Sequence, residues 1–342
     1  MTWQVQAQAQ APTPAKKEAE DDGPFAPKGK TGKLREEEQA ANAPKPEPEA
    51  PPPKEKPYGA GVDIVYGLGR AGGGTDFGST PTKFKVASIM LGVFYQADPK
   101  INARLRCPIS TGSNDDAGYS ATAAGNVELG MTYIPETAPN ATTRFPLDIG
   151  LYLPTASGDR FPPPEGNGRE RAYYVNTFAQ WSRGMEDDAF FAPHRLSLVP
   201  KVSLRYASGG IATGGYVKIP LMVRMGGGDP SQPPPSDDQN YTINSFVFQT
   251  VVGGDFRIDI SKNKVDIGTK AWLTFMTPEY VTRNLDGSTP PSKVQFALEP
   301  QVRAAFGNLK TAFGVILPIG GRLAGPDLHH TYGFRLSAVL GF

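Results

Sequence analysis

The chain has 342 residues, a net charge of +1, 39 Gly and 34 Pro, and only 39% hydrophobic residues. That neutral balance removes the field by which nucleic-acid binders and cation stores hold their partners, and the single Cys107 removes a disulfide framework or a multi-cysteine metal site. No apolar run approaches the ~18 residues of a membrane-spanning helix, which leaves strands of about 10 alternating residues as the other way to cross a bilayer.

Residues 1–11 carry small-x-small patterns at Ala7-Gln8-Ala9 and Ala9-Gln10-Ala11, with no charged, apolar leader before them. Two readings stand: the remnant of a secretory signal that starts upstream, or part of a polar arm. Residues 12–57 are dominated by Pro, Ala, Lys and Glu. Such a segment buries too little apolar area to offset its conformational entropy, so it is expected to be a disordered, stretched tether.

From Tyr58 onward the texture changes to period-two alternation punctuated by Gly, Pro, Asn and Asp. Strands are predicted near 58–69, 83–97, 101–111, 121–134, 144–155, 195–207, 213–226, 241–259, 263–277, 293–306, 309–319 and 330–342. In the clearest of them Val265, Ile267, Thr269, Ala271, Leu273 and Phe275 share one face, and Asp266, Gly268, Lys270, Trp272 and Thr274 the other. Strand 83–97 is apolar on both faces, so its register stays open. The connections alternate: 70–82, 112–120, 227–240, 278–292 and 320–329 are long, 135–143 is intermediate, and 98–100, 208–212, 261–262 and 307–308 are short. Short turns on one rim and long loops on the other belong to a barrel, here of about twelve antiparallel strands.

One loop, 156–194, is far longer than the rest. It opens with Phe161-Pro162-Pro163-Pro164 and continues through Arg169 to Arg183, where Tyr174, Phe178 and Trp181 recur at helical spacing. This stretch folds inward as a constriction, lies on the rim against a partner, or packs as a loop helix on its own barrel.

Alternation puts many charges on the second face: Asp63, Arg104, Arg106, Glu128, Asp148, Lys201, Arg205, Lys218, Arg224, Asp255, Arg257, Asp259, Asp266, Lys270, Glu299, Arg303 and Arg335. A β-sandwich or propeller core does not absorb so many charges cheaply, whereas a wet lumen does. These residues are therefore expected to line the lumen. On the last strand Tyr332, Phe334, Leu336, Ala338, Leu340 and Phe342 share the apolar face. Here the chain resembles the porin-like bacterial outer-membrane β-barrel proteins, which commonly end in such an amphipathic strand with a terminal Phe that their assembly machinery reads. The resemblance spans 58–342 in pattern, is most specific in the closing strand, and points to no subfamily. It implies an all-β transmembrane barrel in the outer membrane with short turns and the 12–57 arm on the periplasmic side. It also implies Phe334, Leu336, Leu340 and Phe342 as an assembly signal, and lipid and the assembly machinery as partners.

Other constellations carry little. Gly67-Leu68-Gly69-Arg70-Ala71-Gly72 has the spacing of a dinucleotide fingerprint, but Gly73, Gly74, Gly78 and Pro81 follow where a helix must begin. The groups Asn114-Asp115-Asp116 and Asp237-Asp238 lack calcium-loop spacing. His194, His329 and His330 form neither a metal set nor a hydrolase triad. No cofactor, metal, nucleic acid or catalysis is expected. The leading expectation is a passive channel for small hydrophilic solutes. The alternative is a structural anchor of an envelope-spanning motility or secretion complex, with residues 12–57 contacting periplasmic proteins.

Overall fold

The computed structural model describes residues 57–71, 82–116, 118–135, 142–158, 167–226, 241–261, 264–277, 280–282, 293–321 and 330–342. The expectations for the signal remnant and for nearly all of the arm lie outside these residues.

The elements are β1 (Tyr58–Ala71), β2 (Thr82–Asp98), β3 (Ile101–Asn114), β4 (Tyr119–Ala124), β5 (Glu128–Tyr133), β6 (Thr143–Arg144) and β7 (Leu147–Tyr152), then α1 (Asn167–Ser182). There follow β8 (Arg195–Ser208), β9 (Ile211–Lys218), β10 (Leu221–Arg224), β11 (Tyr241–Ile243), β12 (Phe246–Ser261), β13 (Val265–Met276), β14 (Tyr280–Thr282), β15 (Lys293–Phe306), β16 (Leu309–Gly321) and β17 (Tyr332–Gly341). Each wall strand pairs antiparallel with its sequence neighbour, and β17 returns to β1 from Leu68↔Tyr332 to Gly59↔Gly341. The result is a closed barrel of 12 wall strands. Closure pairs the edges that an open sheet leaves exposed, which a membrane requires.

Three wall strands are interrupted where their sequences forbid a continuous ladder. Pro146 separates β6 from β7, and Pro220 lies between β9 and β10, each lacking the N–H that a central strand donates. Gly125-Asn126-Val127 separates β4 from β5, and the Asn126 side chain turns inward there. The predicted long connection 112–120 is shorter than expected, because β3 and β4 stay paired to Asn114↔Tyr119. Lys85 pairs with Asp115 at 2.8 Å, and the Asp116 carboxylate accepts from the Lys83 amide at 2.8 Å, fastening this turn to β2.

Turns at Pro99-Lys100, Gly209-Gly210 and Gly307-Asn308 lie on the same rim as Tyr58 and Phe342. The Gly209 and Gly210 φ angles of 58° and 81° suit the two central positions of a tight hairpin, where a side chain is strained. The outward faces are apolar. Ile89, Leu91, Val93 and Tyr95 on β2, Leu129, Met131 and Tyr133 on β5, and Leu273 and Phe275 on β13 are all exposed. Such a band has lipid as its solvent. The packed core is therefore inside the barrel, and β2 explains its own ambiguity: Phe84, Val86, Met90 and Phe94 point inward and are buried.

Candidate functional site: a segment folded across the bore

The long connection between β7 and β8 enters the lumen. Helix α1 places Ala172, Val175, Phe178, Ala179 and Ser182 on one buried stripe at i, i+3, i+4 spacing. Phe178 stacks on Phe84 of β2 at 4.5 Å between ring centres, and Trp181 meets Phe84 edge-on at 5.7 Å. Full burial of an aromatic of this size contributes roughly 1.5–3 kcal/mol, so the helix is fixed to this wall mainly by apolar contact. Phe178 and Trp181 are thus inside the barrel and Tyr174 is partly buried against the same cluster. Of the readings left open for this stretch, the rim surface facing a partner is not adopted.

The helix stops at Gly184. Its N–H donates to the Trp181 carbonyl at 3.0 Å and the Met185 N–H to the Gln180 carbonyl at 3.0 Å, the two bonds of a glycine-terminated helix end. Gly184 has φ of 63°, and a Cβ there would lie 2.7 Å from the Trp272 ring and 2.8 Å from the Ala297 methyl, so glycine is required twice over.

Residues Arg183–Asp188 then cross the bore and are wholly buried. On one side the Arg183 guanidinium donates to Asp63 of β1 at 2.7 Å and to the Ser88 hydroxyl of β2 at 2.9 Å. On the other side Glu186 accepts from Lys270 of β13 at 2.6 Å and from the Tyr216 hydroxyl of β9 at 2.8 Å. The Lys218 ammonium lies 3.4 Å from Asp187 and donates to the Glu186 carbonyl. Arg335 of β17 lies 3.7 Å from Asp187. Gln249 of β12 donates to Asp188 at 2.9 Å and to the Met185 carbonyl at 2.8 Å, and the Trp272 indole donates to the Gly184 carbonyl at 2.8 Å. Burial by itself pushes the Glu186 carboxyl up, but Lys270 above all, with Lys218, outweighs it and holds the group well below its usual range.

A short 3-10 turn, Asp188–Phe190, carries the chain back to the wall. Phe190 meets the Tyr152 ring edge-on at 4.7 Å and lies under the Arg106 guanidinium at 4.7 Å. Asn126 donates to the carbonyls of Ala189 and Ala192, both at 2.8 Å, and accepts from the Ala156 amide at 2.8 Å.

The charged residues singled out from alternation face inward in three groups. Arg104 bonds Asp148 at 2.7 Å and Glu128 at 2.9 Å, and Arg106 bonds Glu128, forming a buried cluster on β3, β5 and β7. Lys218, Lys270, Glu299 and Arg335 meet the crossing segment or its neighbours, Arg335 pairing with Glu299 at 2.8 Å and with Asp63 at 3.3 Å. Lys201 sits 4.4 Å from the Tyr216 ring centre. Nearer the short-turn rim the pairs are looser: Arg205–Asp255 at 3.7 Å, Arg257–Asp255 at 3.2 Å and Arg303–Asp266 at 3.9 Å. Arg224 is set apart at the end of β10, its Nε donating to the Gly226 carbonyl at 2.9 Å. Phe334, Leu336, Leu340 and Phe342 are exposed on the outward face.

Sequence reasoning offered the 156–194 loop as a constriction but missed the residues that anchor it. Arg183, Glu186, Asp187 and Asp188, and the wall residues Tyr216, Gln249 and Asn126, were not singled out as site residues, and Trp272 was placed only on the inner face. A signal was present in Arg183–Phe191, where three successive acids are followed, after Ala189, by two phenylalanines, a pairing of charge and apolar bulk unsuited to a solvated loop.

No family model matches the chain, and no curated protein does. Solved structures do. An outer membrane channel from Pseudomonas putida F1 is similar at 11% identity and a TM-score of 0.54, over 86% of this chain and 100% of that one. The beta domain of the Bordetella autotransporter BrkA aligns at 10% identity and a TM-score of 0.43, over 83% and 99%. The translocator domain of the autotransporter NalP from Neisseria meningitidis aligns at 11% and 0.43, over 84% and 90%. By its closed 12-strand wall, its outward apolar belt and its likeness to the Pseudomonas channel, the chain has the fold of the bacterial outer-membrane β-barrels.

Proposed function

We propose that the protein is a gated outer-membrane channel for small hydrophilic solutes, with the Arg183–Asp188 segment as its gate. The observation that carries this is the pair of anchors on opposite walls, Arg183 on Asp63 of β1 and Glu186 on Tyr216 of β9, the seventh of the twelve wall strands, which stretch one segment of chain across the lumen. The wall that faces the segment carries Gln249, Thr274 and Gln295 inward beside the apolar Trp272, Val251 and Ile316, and these polar groups, with Lys218 and Lys270, would line a path for water and polar solutes. Permeation is passive, and no residue is assigned a catalytic role. Arg104, Arg106, Glu128 and Asp148 hold the wall and the 3-10 turn. Arg205, Asp255, Arg257, Asp266 and Arg303 line the entrance near the short-turn rim.

Liposome swelling tests the reading. The full chain should admit arabinose or glycine slowly, and a form with Glu186→Gln and Arg183→Gln, freed at both anchors, should admit them several-fold faster. A barrel that stays impermeable in both forms would favour instead the structural anchor, whose supporting arm is residues 12–57.

A further inference from the structure

We infer that the wall groups holding Glu186, Asp187 and Asp188 form a binding site for a small dicarboxylate solute, and that the crossing segment is the resident competitor for that site. The inference rests on the gating reading. Three successive carboxylates of the segment are received by separate donors on β9, β12, β13 and β17. Lys270 and the Tyr216 hydroxyl take Glu186 at 2.6 and 2.8 Å, Lys218 and Arg335 flank Asp187 at 3.4 and 3.7 Å, and Gln249 takes Asp188 at 2.9 Å. None of these donors is needed to close the barrel, whose ladders are complete without them.

The charges match the same division. Around the segment the wall presents Lys201, Lys218, Lys270 and Arg335 against Asp63 and Glu299, four positive against two negative. The segment brings three carboxylates and one guanidinium, so its deficit of two charges meets the wall's surplus of two. When the segment leaves, that surplus stays behind in a confined, partly desolvated lumen, where an unpaired charge is costly. A solute that restores neutrality must carry two negative charges. The donors are spread over four strands and serve separate carboxylates, which suits two carboxylates on a short chain better than one compact tetrahedral anion.

The test is calorimetric titration of the full chain, folded in detergent, with succinate, and with acetate and phosphate as controls. The form with Glu186→Gln and Asp187→Asn should bind succinate saturably and at least tenfold more tightly than the native chain, whose site is filled. Adding Lys218→Gln and Lys270→Gln should remove that gain, and acetate and phosphate should bind at least tenfold more weakly. Absence of succinate binding to a variant that migrates as a folded barrel, binding unaffected by the two lysine changes, or equal binding of phosphate would overturn the inference. Should the double variant fail to fold, Glu186→Gln alone, which keeps side-chain volume, must show the same order of affinities. A variant that binds succinate yet never conducts would overturn the gate and leave the site, while one that conducts without binding would do the reverse.

Discussion

Arg183 and Asp63 stand 120 residues apart in sequence and meet at 2.7 Å inside the barrel, with neither side chain reaching solvent. A buried pair of this kind is weak evidence for stability as such, because desolvation of both charges offsets most of their attraction. Its effect is on geometry: Asp63 is held in the wall beside Arg335 at 3.3 Å, and its second oxygen fixes the Arg183 guanidinium and with it the position of the segment.

Removal of one partner is therefore costly. Arg183→Met should weaken docking of the segment, by less than the about 3–5 kcal/mol of a fully stranded buried charge, because Asp63 keeps Arg335 at 3.3 Å. Hydrogen exchange of the amides of 183–192 should accelerate accordingly, with the barrel strands unchanged. Protection equal to that of the native chain would contradict this role.

Asn126 fastens the other end. Its side chain donates to the carbonyls of Ala189 and Ala192, so Asn126→Ala leaves both unpaired in a buried place, at roughly 1–3 kcal/mol each. The expected outcome is faster exchange confined to 188–192, with the Arg183 anchor intact.

The apolar half of the insert follows ordinary core rules although it sits inside a membrane barrel. Phe178→Ala should cost about 3–5 kcal/mol in helix docking, by loss of the Phe84 stack and the cavity left behind. Leu91→Ala on the lipid face, half-exposed and pointing away from the lumen, should leave helix docking unchanged. Near-UV circular dichroism from Trp181 distinguishes the two.

The pH response has a definite sign. The folded Glu186 carboxyl is held below its ordinary value near 4.5, so its contribution to docking is fully present above that value and is lost only as the pH falls through the lower, folded one. The closed state should be insensitive between pH 8 and about 5, and should loosen only in stronger acid. Opening on mild acidification, read as solute entry into liposomes, would contradict the assigned environment of Glu186.

The barrel was legible in the sequence because a two-residue period fixes which face meets lipid, as in Val265–Met276, and because the tight turns recur on one rim. The insert was less so. The aromatic spacing of α1 was visible, but its place in the lumen depends on partners such as Phe84 and Asp63 that no local pattern connects to it. Apolar residues on both faces of β2 were the trace of that contact. The role of the inward glycines was hidden for the same reason. Gly130 faces Arg104 across the ladder, where a Cβ would come within 2.6 Å of the guanidinium nitrogen, and Gly268 faces Arg257, with 2.7 Å to its Cγ. Long charged side chains lie flat over these positions, a relationship that exists only once register is known.

Single-channel conductance of the full chain in a planar bilayer, compared with a form in which 183–188 is replaced by a Gly-Ser linker, tests the central claim most directly. The account requires a native protein that is closed or opens only briefly, and a replaced form that conducts steadily. Equal conductance in the two forms would mean that the segment does not close the bore.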